Sequence, residues 1–126
     1  MKIPLATRYA DYDTKGHANN AVYLTYFEMA REAAWVDHLG GNADFPFIIA
    51  EATVKYVSEA MIGQPLEIML STVEVRTQAW VWAYVISDRT DGRVVAEGRT
   101  VQVMYDYEHH ATIPIPDALR AKLPGL

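Results

Sequence analysis

The sequence predicts an α+β fold in which one long helix lies against a single curved antiparallel sheet. Three observations predict it. Residues 21–39 carry one long apolar pattern of helical period. Four strand-like runs follow it, joined by short turns, which favours antiparallel neighbours. A lone helix and a lone sheet can bury their apolar faces only against each other. At 126 residues the chain is expected to form one domain, residues 1–126, with room for one core.

Residues 2–9 alternate weakly and are expected to form a short strand. Residues 10–20 hold Asp11, Asp13, Thr14, Gly16, Asn19 and Asn20, all turn or cap residues, so this stretch reads as loop. Asn19 or Asn20 is placed to cap the helix. Within the helix Tyr23, Tyr26, Phe27, Ala30 and Ala34 recur at i, i+3, i+4, i+7 and i+11. Val22, Met29, Ala33 and Val36 widen the apolar arc, so the helix is expected to be packed on most sides. Gly40-Gly41 stops it.

Strands are expected at 47–58, 66–76, 78–88 and 94–105, with Asp91-Gly92 turning the last hairpin. The tail carries Pro114 and Pro116 and a short helix from Asp117 to Leu123. In 78–88 both alternating sets are apolar: Ala79, Val81, Ala83 and Val85, and Trp80, Trp82, Tyr84 and Ile86. Antiparallel strands with one wet face normally alternate apolar with polar. One set is therefore expected on the helix and the other under a cover, most simply a partner subunit.

Composition narrows the function. The 16 Asp/Glu against 11 Lys/Arg give a net charge of −5. Nucleic acid is therefore not expected as the main partner, because phosphate binding needs a basic face. No apolar run is long enough to span a membrane and no signal-peptide pattern opens the chain, so a soluble, cytoplasmic protein is expected. Cysteine is absent, which removes disulfides, thiolate metal sites and a cysteine nucleophile.

The chemistry concentrates in Arg8-Tyr-Ala-Asp-Tyr-Asp-Thr-Lys-Gly-His-Ala-Asn-Asn20, just before the helix. A helix start offers unpaired N–H groups and a positive dipole end. A carboxylate beside such donors suits acyl transfer or anion binding. A calcium loop is rejected, because its frame would put Lys15 and Val22 where an oxygen ligand and a Glu are required. No Gly-x-Ser-x-Gly and no glycine-rich phosphate loop occur. Neither a metal nor a cofactor is expected, and His109-His110 reads as a solvated pair in a late turn. What remains is a carboxylate that activates water or attacks an acyl carbon. Two Asp residues making turn hydrogen bonds would produce the same pattern.

Tyr9-Ala-Asp-Tyr-Asp-Thr-Lys-Gly-His-Ala-Asn-Asn20, followed by Tyr23-Leu-Thr-Tyr-Phe-Glu-Met-Ala-Arg31, resembles the opening of the hotdog-fold acyl-CoA thioesterases of the 4-hydroxybenzoyl-CoA thioesterase family. Tyr56–Leu66 is similar to that family's bend after the second strand, and Ile113–Leu123 to its C-terminal finish. The resemblance implies a five-stranded sheet curled around the helix, and hydrolysis of an acyl-CoA. It matches Asp13 to the catalytic carboxylate, as nucleophile or general base, and Asn20 to the residue whose backbone N–H polarises the thioester carbonyl. Tyr23 also falls on a motif position, as a substrate contact, and Asp11 on one that shapes the loop.

His17, a candidate catalytic residue, and Asn19 depart from the 4-hydroxybenzoyl enzyme, which leaves the acyl group open between aromatic and fatty. Glu28 and Glu32 on the helix are alternative bases, and Glu28 is spaced for an i,i+3 ion pair with Arg31. The resemblance further implies a homodimer or homotetramer with each site between subunits. Lys55, Arg76, Arg89, Arg93 and Arg99 are candidate contacts for the CoA phosphates, since exposed cations suit phosphates. A non-catalytic binder of acyl thioesters and a dehydratase of the same fold are the other readings.

Overall fold

A computed structural model describes residues 1–126. Its elements are β1 (Lys2–Pro4), α1 (Val22–Ala33), β2 (Phe47–Tyr56), β3 (Leu66–Val75), β4 (Ala79–Asp88), β5 (Val94–Asp106), β6 (Ala111–Thr112) and α2 (Asp117–Lys122). The sheet runs β1-β3-β4-β5-β2, and β6 adds a two-residue pairing to β5. Every pairing is antiparallel. Register shifts between Ile49 and Glu51, Thr72 and Glu74, and Ile86 and Ser87 mark irregularities in the ladders. Such irregularities bend strands and raise their twist, which suits a sheet that curls.

The expected long helix forms, in two geometries. Residues Val22–Ala33 are α-helical and Ala34–His38 continue as a wider π turn, with the Leu39 N–H donating to Ala34 O at 3.0 Å. The helix buries Val22, Tyr23, Tyr26, Phe27, Ala30, Ala34 and Trp35. It is packed on one broad face and not on most sides: Leu24 is 45 % exposed and Val36 39 %. The sheet supplies only one surface, so residues beyond its reach stay in water.

The core lies between that face and the inner side of the sheet. Trp80, Trp82, Tyr84 and Ile86 are the inward set of β4, joined by Leu66, Ile68 and Leu70 of β3. Phe27 stacks on Tyr84 at 4.3 Å with 12° between the rings. The register sets Gly98 opposite Tyr84. A Cβ on Gly98 would lie 2.3 Å from the Phe27 ring, so only glycine lets the helix seat this deeply. The outward set of β4 is not bare. Val81 is buried in the single chain, in a hollow lined by Glu51, Glu74, Arg76 and Arg99. Long charged side chains cover small apolar ones, so the chain itself covers Val81, while Ala83 and Val85 of the same set are left half-buried.

Two regions differ from expectation. The first strand ends at Pro4 instead of residue 9, because its partner β3 begins at Leu66; the chain then turns into a 3₁₀ segment at Tyr9–Asp11 that Asp11 holds to Arg8. On the other edge, β2 pairs only with β5. Its inward positions Phe47 and Val54 pack on the core, but Ile49 and Tyr56 are 40 % and 53 % exposed, so the helix covers this strand only in part.

Candidate active site

The polar stretch folds into two nested devices around one buried carboxylate and one exposed carboxylate. Asp11 is 2 % exposed. It accepts hydrogen bonds from the Arg8 N–H (2.9 Å), from Arg8 Nε and Nη2 (3.0 and 2.8 Å) and from the Tyr26 hydroxyl (3.0 Å). Burial works against its charge, but the Arg8 N–H, the guanidinium and Tyr26 outweigh it and hold the carboxyl below its usual range. Burial and the Asp11 charge push the Tyr26 hydroxyl far upward, so it stays a donor. Asp11 thereby ties the loop entry to the second turn of α1.

Asp13 is turned the other way, into solvent. Its N–H donates to His17 O at 2.8 Å, and Tyr12 bridges Ala18, making a miniature hairpin. Gly16, at φ +77°, makes the reversal and donates to Asp13 O at 3.0 Å. Asp13 Oδ1 accepts from the backbone N–H of Lys15 (2.9 Å) and of His17 (3.0 Å). Its other oxygen makes no hydrogen bond within the chain. The His17 N–H is the largest cause that holds the Asp13 carboxyl below its usual range; desolvation opposes it and the Lys15 N–H adds to it. Asp13 is therefore an oriented anion at neutral pH with one oxygen available.

The next residues lead into the helix. Asn19 Oδ1 accepts from the Ala21 N–H at 2.9 Å and Asn19 O from the Val22 N–H at 3.0 Å. The N-cap position itself falls on Ala21, so Asn19 shapes the turn that enters the helix and neither expected residue caps it with a side chain. The N–H of Asn20 makes no hydrogen bond within the chain. Its carbonyl accepts from the Tyr56 hydroxyl at 2.8 Å, which fastens the helix start to the end of β2.

His17, Ala18, Asn20, Tyr23, Tyr56, Val57, Ser58, Glu59 and Ala60 line an open cleft of about 430 Å³. Tyr23 stands edge-on to Tyr56 at 5.2 Å. His17 Nε2 lies 3.4 Å from Glu59 Oε2. Asp13 is not on the cleft wall of the single chain; it stands at the base of the hairpin whose other arm, His17 and Ala18, is. The hairpin is stitched to the 58–64 segment by Ala18 N–H to Ala60 O and Ile62 N–H to Gly16 O, both 2.8 Å.

The fold thus brings Asp13, His17, Asn20 and Tyr23 into one neighbourhood. Lys55 is exposed on the outer side of β2, opposite Glu97. Arg76 lies past the far end of β3 from Leu66, about 33 Å along a strand of ten residues, and its guanidinium holds Glu74 at 2.8 Å. Arg93 alone of the five candidate cations reaches the cleft wall, donating to Ser58 Oγ and to Glu59 O.

Glu28 and Glu32 face a second cleft of about 340 Å³ with Arg31, Asp44, Phe45, Phe47, Ile49 and Tyr107. The Glu28–Arg31 ion pair expected from spacing does not form. The Arg31 charge partly offsets the upward push of burial on the Tyr84 hydroxyl. Asp106, Glu108 and His109 cluster in an exposed turn, where Asp106 already accepts from both backbone N–H groups and from the imidazole.

Sequence reasoning did not single out Tyr56, Glu59 or the clamping role of Arg93. All three become neighbours of the loop through strand register and a long-range turn, which no local pattern reports.

Comparison with known proteins agrees with this geometry. Residues 7–123 match the family model of the Thioesterase-like superfamily. The chain is 25 % identical over 131 aligned positions to the long-chain acyl-CoA thioesterase FadM of Escherichia coli K12, covering 98 % of this chain and 96 % of that one. A Thermus thermophilus thioesterase solved with coenzyme A and zinc superposes with a TM-score of 0.85 at 25 % identity, over 97 % of this chain and 95 % of that one. The PA5185 protein of Pseudomonas aeruginosa PAO1 superposes at 0.92 with 22 % identity, over 100 % and 90 %. With a curled sheet around one helix, a polar loop at the helix start and a family match over nearly its whole length, the chain belongs to the Thioesterase-like superfamily and has the hotdog fold.

Proposed function

We propose that this protein hydrolyses an acyl-CoA thioester to the free acid and CoA, with Asp13 as the reacting carboxylate. The observation that carries the reading is the pair of groups set at the start of α1. Asp13 is an anion with one oxygen unclaimed, and the Asn20 N–H is a donor without a partner. Asp13 would deprotonate water or attack the thioester carbon itself. The Asn20 N–H, beside the positive end of the helix, would donate a hydrogen bond to the developing oxyanion. His17 would stand beside the reacting groups on the cleft wall, and Tyr23 would bound the thioester arm. The similarity to FadM and to the CoA-bound Thermus enzyme supports the substrate class.

The exposure of Asp13 fits a site that closes against a second copy. The free edge of β2 supports a homodimer or homotetramer, since a long unpaired edge invites pairing. Lys55 and Arg76 are proposed contacts for the CoA phosphates.

Release of CoA from a panel of aromatic and fatty acyl-CoAs tests the reading and identifies the acyl group. Asp13→Asn should abolish most turnover while the protein stays folded; full activity in that variant would sink the assignment. Lys55→Ala and Arg76→Ala should raise KM for acyl-CoA and leave KM for the matching N-acetylcysteamine thioester unchanged.

A further inference from the structure

We infer that Arg93 is a positioning residue: it clamps the 58–64 segment, and through that segment it holds the Asp13 hairpin in its reactive geometry. The inference rests on the reading of Asp13 as the reacting carboxylate.

Three layers of contact carry it. First, Arg93 itself is anchored. It follows the β4–β5 turn, and its Nη2 lies 3.9 Å from Oδ2 of the buried Asp88. Asp88 also holds the turn by accepting from the Thr90 N–H at 2.7 Å. The guanidinium is half-buried and fixed from behind by a carboxylate.

Second, the same guanidinium spans the 58–64 segment. Nη1 donates to Ser58 Oγ and to Glu59 O, the latter at 2.8 Å, and Nη2 to Gln64 Oε1 at 3.4 Å. Gln64 Oε1 also accepts from the Met61 N–H at 2.6 Å. Beyond Tyr56 the Val57 and Ser58 N–H groups donate to Val95 O and Ser58 Oγ to Val94 O, and the side chains of Arg93 and Gln64 satisfy the Glu59 carbonyl and the Met61 N–H that follow. A planar fork with several fixed donors suits this task, and an ammonium does not.

Third, the clamped residues Ser58, Glu59 and Gln64 bracket those that touch the hairpin. Ala60 O accepts from Ala18, the Ile62 N–H donates to Gly16 O, and Glu59 faces His17. The His17 N–H in turn orients Asp13 Oδ1. Arg93 and Asp13 are thus joined through Glu59–Ile62 and Gly16–Ala18. Displacement of reacting groups by about 1 Å can cost on the order of a hundredfold in rate, so loosening this chain should appear in turnover before it appears in binding.

The test uses the full-length enzyme with two substrates, an acyl-CoA and the N-acetylcysteamine thioester of the same acid, which has no nucleotide phosphates. Arg93→Gln should lower kcat about ten- to hundredfold on both substrates, the scale of a small misplacement, with KM nearly unchanged. Arg93→Ala should regain part of its kcat when methylguanidinium is added, and Ser58→Ala should lower kcat more mildly in the same pattern. Folding is checked by circular dichroism and thermal melting. If Arg93→Gln does not fold, Ser58→Ala decides. A normal kcat in the folded variants overturns the proposal. A loss confined to KM for the acyl-CoA overturns it too, by making Arg93 a phosphate contact. Asp13→Asn is run alongside. If it is inactive and Arg93→Gln is normal, only the positioning role falls. If Asp13→Asn is fully active, the assignment of Asp13 and the positioning role fall together.

Discussion

Asp11 and Asp13 are two residues apart and occupy opposite regimes. Asp11 is sealed between Arg8 and Tyr26 and has no oxygen left to offer. Asp13 stands in solvent, one oxygen held by two backbone N–H groups and the other free. Both carboxyls are held below their usual range, the first against the cost of burial and the second mainly by the His17 N–H. A lowered carboxyl therefore does not by itself mark a reacting group. What separates the two is access: both oxygens of Asp11 hold the chain, and Asp13 leaves one open to solvent.

Substitutions break this contrast in decreasing order of effect. Asp13→Asn should lower kcat by roughly 10²–10⁴, the usual worth of a positioned acid–base group, with the melting temperature nearly unchanged. Asp11→Asn should do the reverse. It weakens charge-assisted bonds from a buried position, at a cost of about 1–3 kcal/mol in chemical denaturation, while kcat of the folded protein stays near that of the parent. Arg8, mostly exposed, stays solvated, which keeps this cost below that of stranding a buried charge. Asn19→Ala removes the acceptor in the turn that enters the helix and should cost about 1 kcal/mol, with a small fall in kcat because the Asn20 N–H loses its fixed setting.

The pH profile sharpens the contrast. A carboxyl with a depressed folded value contributes stability above its unfolded value, and that contribution is lost as pH falls through the folded one. Asp11 thus supports the fold at neutral pH and down to about 3.9, and withdraws that support below. Asp13 remains charged over the same range. Turnover should therefore show no Asp13-dependent fall between neutral pH and about 4, and the acid limb should coincide with the onset of acid unfolding. An acid limb well above that point would assign the titration to another group.

Much of the fold was legible because it rests on short-range pattern. The period of Tyr23, Tyr26, Phe27 and Ala30 found the helix, Asp91-Gly92 found the hairpin, and each long strand was located within about two residues. The first strand was overrun because the weak alternation of residues 2–9 does not report where its partner β3 begins. The Glu28–Arg31 pair does not form because spacing permits an ion pair without requiring one. At the site, the loop residues were visible as a motif, but the division of labour between Asp11 and Asp13 was not visible in their spacing.

The sequence by itself determined the elements, their order and the polar loop placed before the helix. Helical and strand periods, glycine stops and Asx turns are local properties, set within a few residues. The tertiary structure alone decided which carboxylate is buried, which N–H at the helix start is left free, and that Tyr56, Glu59 and Arg93 gather around the loop. Those outcomes depend on strand register, on the seat that Gly98 gives Phe27, and on a turn joined to the loop by backbone bonds across more than forty residues. Contacts at that separation form only once the core has fixed where each strand lies.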